Sequence, residues 1–203
     1  MIHLTEITQL VHLDAYHRFR ATIYKNDTAA DDFLKNKEYD RDLWDEKAIH
    51  LGWYNDVGAL NGCIRFIRPI DHPCPLYSFT RLPRPVLKFA EQLLCSHERQ
   101  KLPLLELSRI CVSQEFRNLR SLRDFSLAII EKLFDYSDQA FFTVFDNHKA
   151  HWMQYGCSVL EGTAKWKCRI TGIPSWCMVY RKDQIPGPIW ALLNNRAGLK
   201  PTA

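Results

Sequence analysis

What the chain lacks narrows its class before any motif is read. No stretch approaches 18 consecutive apolar residues, so no segment reads as a membrane span. The N-terminal "MIHLTEITQL" has neither a basic n-region nor a long apolar core, and no secretory leader is expected. No C-x-x-C occurs and the seven cysteines are odd in number, which argues against a disulfide framework and against a zinc site of recognisable spacing. The thiols are expected to be buried small hydrophobes in a reducing compartment, the cytoplasm. The eight histidines show no H-x-x-x-H or similar spacing, so no metal is expected, and no other cofactor. Internal repeats and low-complexity segments are also missing. The charge excess is only +4, too weak to imply nucleic acid without a concentrated patch, although a local patch would suit an acidic protein or a phosphate-bearing ligand.

What is present is an ordinary globular composition, 46% apolar and 25% charged, over 203 residues. That length suits one α/β domain, placed at residues 1–185, followed by a tail at 186–203. Six Trp and eleven Phe call for a well-filled core or a pocket for something greasy.

The periodicities predict an amphipathic helix over about 7–24 and a polar, acid-rich loop with a short helix in it. A hairpin follows ("AIHLGWYND" and "ALNGCIRFIRP" around the turn signal "DVG"). "PIDHPCPLYSF" is a proline-held loop, and "RPVLKFAEQLLCSHERQ" is a helix with Pro near its start. A strand from about 104, a helix capped by Ser121 and the strand "QAFFTVF" make a crossover unit. A short helix ended by Gly156 and the strands "CSVLEG" and "SWCMVYRK" complete a mixed sheet with helices on its faces. The apolar patch "PIWALL" in the tail either packs back or frays.

The stretch "LLELSRICVSQEFRN" carries the chemistry. It opens like a buried strand, yet Glu106, Ser108 and Arg109 sit inside it. Buried charges are costly unless paired. A regular strand alternates faces, which puts Glu106 and Ser108 on one side and Arg109 on the other. If both charges serve one site, the alternation must break, most simply through a β-bulge, a feature favoured beside active sites. The plainer alternative is a structural Glu–Arg ion pair. Asp42 and Asp45 in "DRDLWDEKAIHL", Arg65 inside the apolar "GCIRFI" and Phe79 in "PLYSF" supply further members of a charged cluster spread over four segments. Taken singly, each also reads as a solvated acidic loop, a snorkelling arginine and a core phenylalanine. Arg117, Arg120 and Arg123 crowd a strand-to-helix turn. There they oppose the helix dipole but suit a phosphate or an acidic carrier, although a solvated basic helix start is a rival reading.

"RATIY" (Arg20, Tyr24), "DLWD" (Asp42, Asp45), "GCIRFI" (Arg65), "YSF" (Phe79) and above all "ELSR" (Glu106, Arg109) resemble, in order and spacing over about residues 15–115, the acyl-homoserine-lactone synthases. These are the autoinducer synthases of quorum sensing, within the GNAT acyltransferase superfamily. "FFTVF" (Thr143), "QYG" and "GIPSWCMVY" continue the pattern more loosely. The resemblance implies a single-domain, mostly antiparallel twisted sheet flanked by helices. It also implies transfer of a fatty acyl group from acyl-carrier protein to the amine of S-adenosylmethionine, followed by lactone closure and release of methylthioadenosine. Glu106, Arg109, Asp42 and Asp45 would be the catalytic cluster, with Glu106 as base or water-orienting carboxylate. Arg20, Tyr24, Phe33, Arg65, Phe79 and Thr143 would bind substrates. Arg117, Arg120, Arg123 and Lys149 would meet the carrier and its phosphopantetheine.

The departures bear on the acceptor. The family's tryptophan about ten residues after the first arginine is replaced by Ala30, with Phe33 the nearest aromatic. Tyr24 stands where phenylalanine is usual. "SRICVSQEFR" and His50 are similar to relatives that make N-acyl amino acids or serve exosortase systems. An N-acyltransferase using another amine is therefore the alternative, and a non-catalytic domain that binds an acyl group or carrier is the third reading. Either acyl-carrier protein or coenzyme A could present the acyl group.

Overall fold

Strands form where apolar residues alternate or run together. The computed structural model, which describes residues 1–26, 36–100, 103–168 and 171–196, joins them in one mixed sheet of eight strands. The order is β1 (Thr5–Glu6), β2 (Ala48–Tyr54), β3 (Leu60–Ile67), β4 (Leu105–Val112), β5 (Gln139–Phe145), β8 (Pro174–Arg181) and β6 (Ser158–Val159). β7 (Trp166–Lys167) also pairs with β8. Every neighbouring pair is antiparallel except β4 and β5, which run parallel, as a strand–helix–strand crossover requires. Five α-helices lie among the described residues: α1 (Leu10–Lys25), α2 (Arg84–Gln100), α3 (Leu119–Leu133), α4 (Asp146–Met153) and α5 (Gly187–Arg196).

Period-two patterning divides the core between the two faces. Ile64 and Phe66, Leu105 and Leu107, and Ala140 and Phe142 point one way and pack with Phe125, Ile129 and Leu133 of α3. Ile67, Phe141 and Val179 point the other way, onto Val86, Ala90 and Leu94 of α2. Each of the larger aliphatic and phenylalanine side chains fully buried contributes roughly 1.5–3 kcal/mol. Under α1, a smaller cluster joins Tyr16 and Ile23 to Cys63 and Cys111. The hairpin turn is tied by Asn55, whose side chain accepts from the amides of Val57 and Ala59, and Gly58 takes a φ of +78° there.

Two boundaries differ from the sequence expectation, and the open question of the tail is decided. The first helix begins at Leu10, not near residue 7, because Thr5–Glu6 pairs with the β2 edge and Ile7 turns into the core. Asn118, not Ser121, caps α3: its side chain accepts from the Ser121 amide at 2.9 Å. The tail patch packs back. α5 buries Leu193, sets Trp190 against Phe134, and ties Arg196 to Glu131 at 3.0 Å.

Candidate functional site

β4 breaks its alternation where its charges lie. Cys63 pairs with Cys111 and Arg65 with Ser108, so Arg109 and Ile110 together oppose the single residue Ile64. Arg109 takes a φ of +54°, the left-handed region, which costs a non-glycine residue roughly 1–3 kcal/mol. The bulge swings the Arg109 side chain to the face that Glu106 and Ser108 share. Its guanidinium lies 4.4 Å over the Tyr77 ring, next to Ser78, which bonds Glu106.

A second irregularity adjoins the first. β4 pairs with β5 only at Leu105–Ala140 and Glu106–Phe141. Both strands then continue, to Val112 and Phe145, without further pairing to each other, while β4 stays paired with β3 and β5 with β8. Glu106 therefore sits at the apex of a wedge between parting strands. The backbone edges lining such a wedge can take hydrogen bonds from a ligand chain.

Three arginines and three aspartates form one network behind the bulge. Arg20 reaches Asp40 at 2.6 Å and Asp45 at 2.8 Å. Arg65 reaches Asp42 at 2.6 Å and Asp45 at 2.8 Å, and its Nε donates to Ser108 Oγ at 3.0 Å. Arg109 reaches Asp40 at 3.1 Å and Asp42 at 3.3 Å. The aspartates come from one short segment. There Asp42 caps the 3₁₀ turn Leu43–Lys47, accepting from the Trp44 amide, while Asp45 accepts from the Asp42 amide. Arg20 and Arg65 have no exposed surface, and burial of such charges is tolerated only because all are paired. Burial works to raise the Asp45 carboxyl, but Arg20 and Arg65 outweigh it and hold it well below the usual range.

Two buried histidines brace the same segment. His17 Nδ1 bonds the Asp40 carbonyl at 2.8 Å, and His50 Nε2 bonds the Asp45 carbonyl at 3.0 Å. Burial lowers His50 to about 4, so it is neutral at physiological pH and serves as a donor.

Glu106 stands apart from this balance. Among the described residues the ion pairs of Arg109 go to Asp40 and Asp42, so the plainer alternative, a structural Glu106–Arg109 pair, is not how either charge is held. Glu106 instead accepts from Ser78: the hydroxyl at 2.6 Å and the amide at 3.0 and 3.2 Å. Complete burial raises its carboxyl to about 7, against the pull of Ser78 and the Arg65 charge. A carboxylate tuned near neutrality can accept a proton at physiological pH and return it.

The remaining expected site residues scatter around this centre. Tyr24 accepts from Cys111 Sγ at 3.4 Å and lies beneath the Arg109 guanidinium, so it belongs to the cluster. Phe79 is buried in the α2-side core, edge-on to Phe141, within the turn Tyr77–Thr80. Thr143 is half-buried on β5, on the face of Phe141 and beyond the last β4 pair. Phe33 and Ala30 lie outside the described residues. Arg117, Arg120 and Arg123 are exposed at the exit of β4, Arg117 donating to the Val112 carbonyl. Lys149 lies on α4 after β5, its ammonium 3.5 Å from the Trp176 ring. Because β4 and β5 are parallel, these four cations flank the open end of the wedge, where α/β sheets commonly hold ligands. Recesses of about 220 and 420 Å³ open near Pro103, at the other ends of the two strands, and contain none of these residues.

Sequence reasoning passed over Asp40, Tyr77 and Ser78. Asp40 had a signal, the acids at positions 40, 42 and 45 before a strand, all of which the arginines use. Ser78 had none beyond its place between two aromatics in a proline-held loop.

No family model and no curated protein sequence matches the chain. Solved structures do. The chain is similar to FeeM, an N-acyl amino acid synthase from uncultured soil microbes, with a TM-score of 0.62 at 15% identity over 91% of this chain and 92% of that one. It is similar to BjaI, a CoA-dependent acyl-homoserine lactone synthase solved with SAM and isopentyl-CoA, with a TM-score of 0.63 at 14% identity over 100% and 90%. It is also similar to the AHL synthase LasI, with a TM-score of 0.60 at 14% identity over 90% and 89%. At such identities the likeness is one of architecture, and with the sheet order and the parted strands it establishes that this chain has the fold of the GNAT-like acyltransferases.

Proposed function

We propose that the protein is an N-acyltransferase that moves a fatty acyl group from a thioester to the α-amine of an amino-acid-type acceptor. One observation carries this reading: Glu106, a buried carboxyl raised to about 7, stands at the apex of the β4–β5 wedge beside the Arg109 bulge. Aminolysis needs a neutral amine, and an α-amine with a pKa near 8 is partly neutral at pH 7. The amine nitrogen attacks the thioester carbonyl, the C–S bond breaks, and the nitrogen's surplus proton passes to Glu106 and on to the departing thiolate. Glu106 has no exposed surface, so a water admitted with the substrate relays that proton. Backbone amides along the parted strand edges are the donors available to the tetrahedral oxyanion.

In the finer reading the acceptor is S-adenosylmethionine, the donor is acyl-carrier protein, and ring closure with loss of methylthioadenosine gives an acyl-homoserine lactone signal. A second reading, acylation of a free amino acid, is favoured by the network itself. Asp40, Asp42 and Asp45 are all held by arginines, so this trio has no spare negative charge for a sulfonium.

Incubation with acyl-carrier protein or acyl-CoA and each amine, read by mass spectrometry, separates these. Lactone with methylthioadenosine supports the first reading, and an N-acyl amino acid supports the second. No acylated amine from any pairing defeats the proposal. Charge reversal of the exposed pair, Arg120→Glu with Arg123→Glu, is expected to raise KM for acyl-carrier protein roughly tenfold at low salt, and less at high salt. An uncharged acyl-pantetheine donor should be handled as before. An unchanged KM for the carrier would move its docking surface elsewhere.

A further inference from the structure

We propose that Ser78 is the positioning residue for Glu106, holding the carboxylate in one orientation and favouring its ionised form against the cost of burial. The inference rests on Glu106 being the base, as proposed above, and assigns that base its control. Ser78 spends both of its donors on this one group: the hydroxyl on Oε1 at 2.6 Å and the amide on Oε1 and Oε2 at 3.0 and 3.2 Å. The hydroxyl distance is that of a charge-assisted bond. The donor is itself only 2% exposed, so water does not compete with it.

The turn that presents Ser78 is fixed from below. Leu76 and Phe79 on either side of the Tyr77–Ser78 pair are buried in the α2-side core, and Phe79 meets Phe141, the β5 residue in register with Glu106. Core packing thus places the serine against the carboxylate before any substrate arrives, as a pre-organised site requires.

The other charges nearby are committed elsewhere. On β3, Arg65 spends Nε on Ser108 and Nη1 on Asp42 and Asp45. On β4, Arg109 faces Asp40 and Asp42, with Tyr24 of α1 beside it. Tyr77, in the serine's own turn, carries the Arg65, Arg81 and Arg109 guanidiniums around its ring. α2 and β5 contribute Val86, Ala90, Leu94 and Phe141 to this side, none of them titratable. Among the groups that favour the ionised form of Glu106 against burial, Ser78 contributes most, ahead of the Arg65 charge and the Tyr77 backbone amide, and it is the one that does so with a side-chain donor.

The test is the titration of Glu106 itself, followed by carbon-13 NMR of side-chain-carboxyl-labelled glutamate and assigned by the signal lost in Glu106→Gln. Ser78→Ala is expected to move the Glu106 midpoint upward by about one unit. Ser78→Cys, a weaker donor of similar shape, should move it less, and Ser78→Thr, which keeps the hydroxyl, should leave it near the wild-type value. A midpoint in Ser78→Ala or Ser78→Cys that coincides with wild type overturns the assignment, and this readout needs no activity. The acidic limb of kcat/KM should move with the NMR midpoint. If the midpoint moves and the limb does not, Ser78 holds Glu106 but Glu106 is not the base.

Discussion

Glu106→Gln is expected to lower kcat/KM for amine acylation by roughly 10²- to 10⁴-fold while the protein stays folded. Glutamine keeps the size of the side chain and an oxygen for the Ser78 donors, so what it removes is the capacity to take a proton. In the wild type the same carboxyl titrates near 7, so kcat/KM should fall steeply as pH drops below that value, and above it should rise further only until the acceptor amine is itself neutral, past about 8. A Glu106→Gln enzyme with full turnover would end the mechanism, because the amine's proton would then leave by a route that does not use Glu106.

The same substitution has a stability signature with a definite sign. Burial raises the Glu106 carboxyl from 4.5 to about 7. Below 4.5 it is protonated in both the folded and the unfolded chain. As pH rises from there to 7, the unfolded chain releases its proton first, so folding loses up to about 3 kcal/mol, and the loss is complete above 7. Glutamine has no such dependence. The difference in melting temperature between variant and wild type should therefore grow in the variant's favour from pH 4.5 to 7.5. A constant difference would mean that Glu106 is not held in an environment that disfavours its charge.

How much of this was legible beforehand depended on whether the signal was local. The hairpin, α2, α3 and β5 were readable because apolar periodicity and turn residues are properties of short windows. The break in β4 was readable because Glu106 and Arg109 could share a face in no other simple way, and Arg109 takes the left-handed conformation that such a break uses. The partners were not readable. Glu106 and Arg109 stand three apart in an "ELSR" that invites pairing, yet one bonds a serine 28 positions earlier and the other bonds aspartates more than 60 positions earlier. Pairing across strands and loops is set by sheet register and by where Phe79 and Leu76 anchor a turn, and no window of sequence contains that. α5 was ambiguous for a related reason: its few apolar residues become a stripe only once Glu131 of α3 and Phe134, which caps that helix, are there to meet them.

Arg20→Ala is expected to cost about 3–5 kcal/mol of folding stability, the usual consequence of stranding buried counter-charges. For a chain of this size that is a fall of roughly 6–20 °C in melting temperature. Arg20 has no exposed surface and divides its guanidinium between Asp40 and Asp45 at 2.6 and 2.8 Å. Without it, the arginines left to those carboxylates among the described residues are Arg109 and Arg65, each already shared with Asp42. The contrast is two residues away on the same helix. Arg18 pairs with Asp14 at 2.8 Å, but both are solvent-exposed, and Arg18→Ala should leave the midpoint where it was. Adding Asp40→Ala to Arg20→Ala should recover part of the loss, because one stranded carboxylate is removed with its partner. Denaturant midpoints of the four proteins measure all of this. A loss below about 1 kcal/mol for Arg20→Ala would mean that the network is wetter and looser than its burial implies. The aspartate segment would then need another anchor, for which His17 and His50, bonded to the carbonyls of Asp40 and Asp45, are the placed candidates.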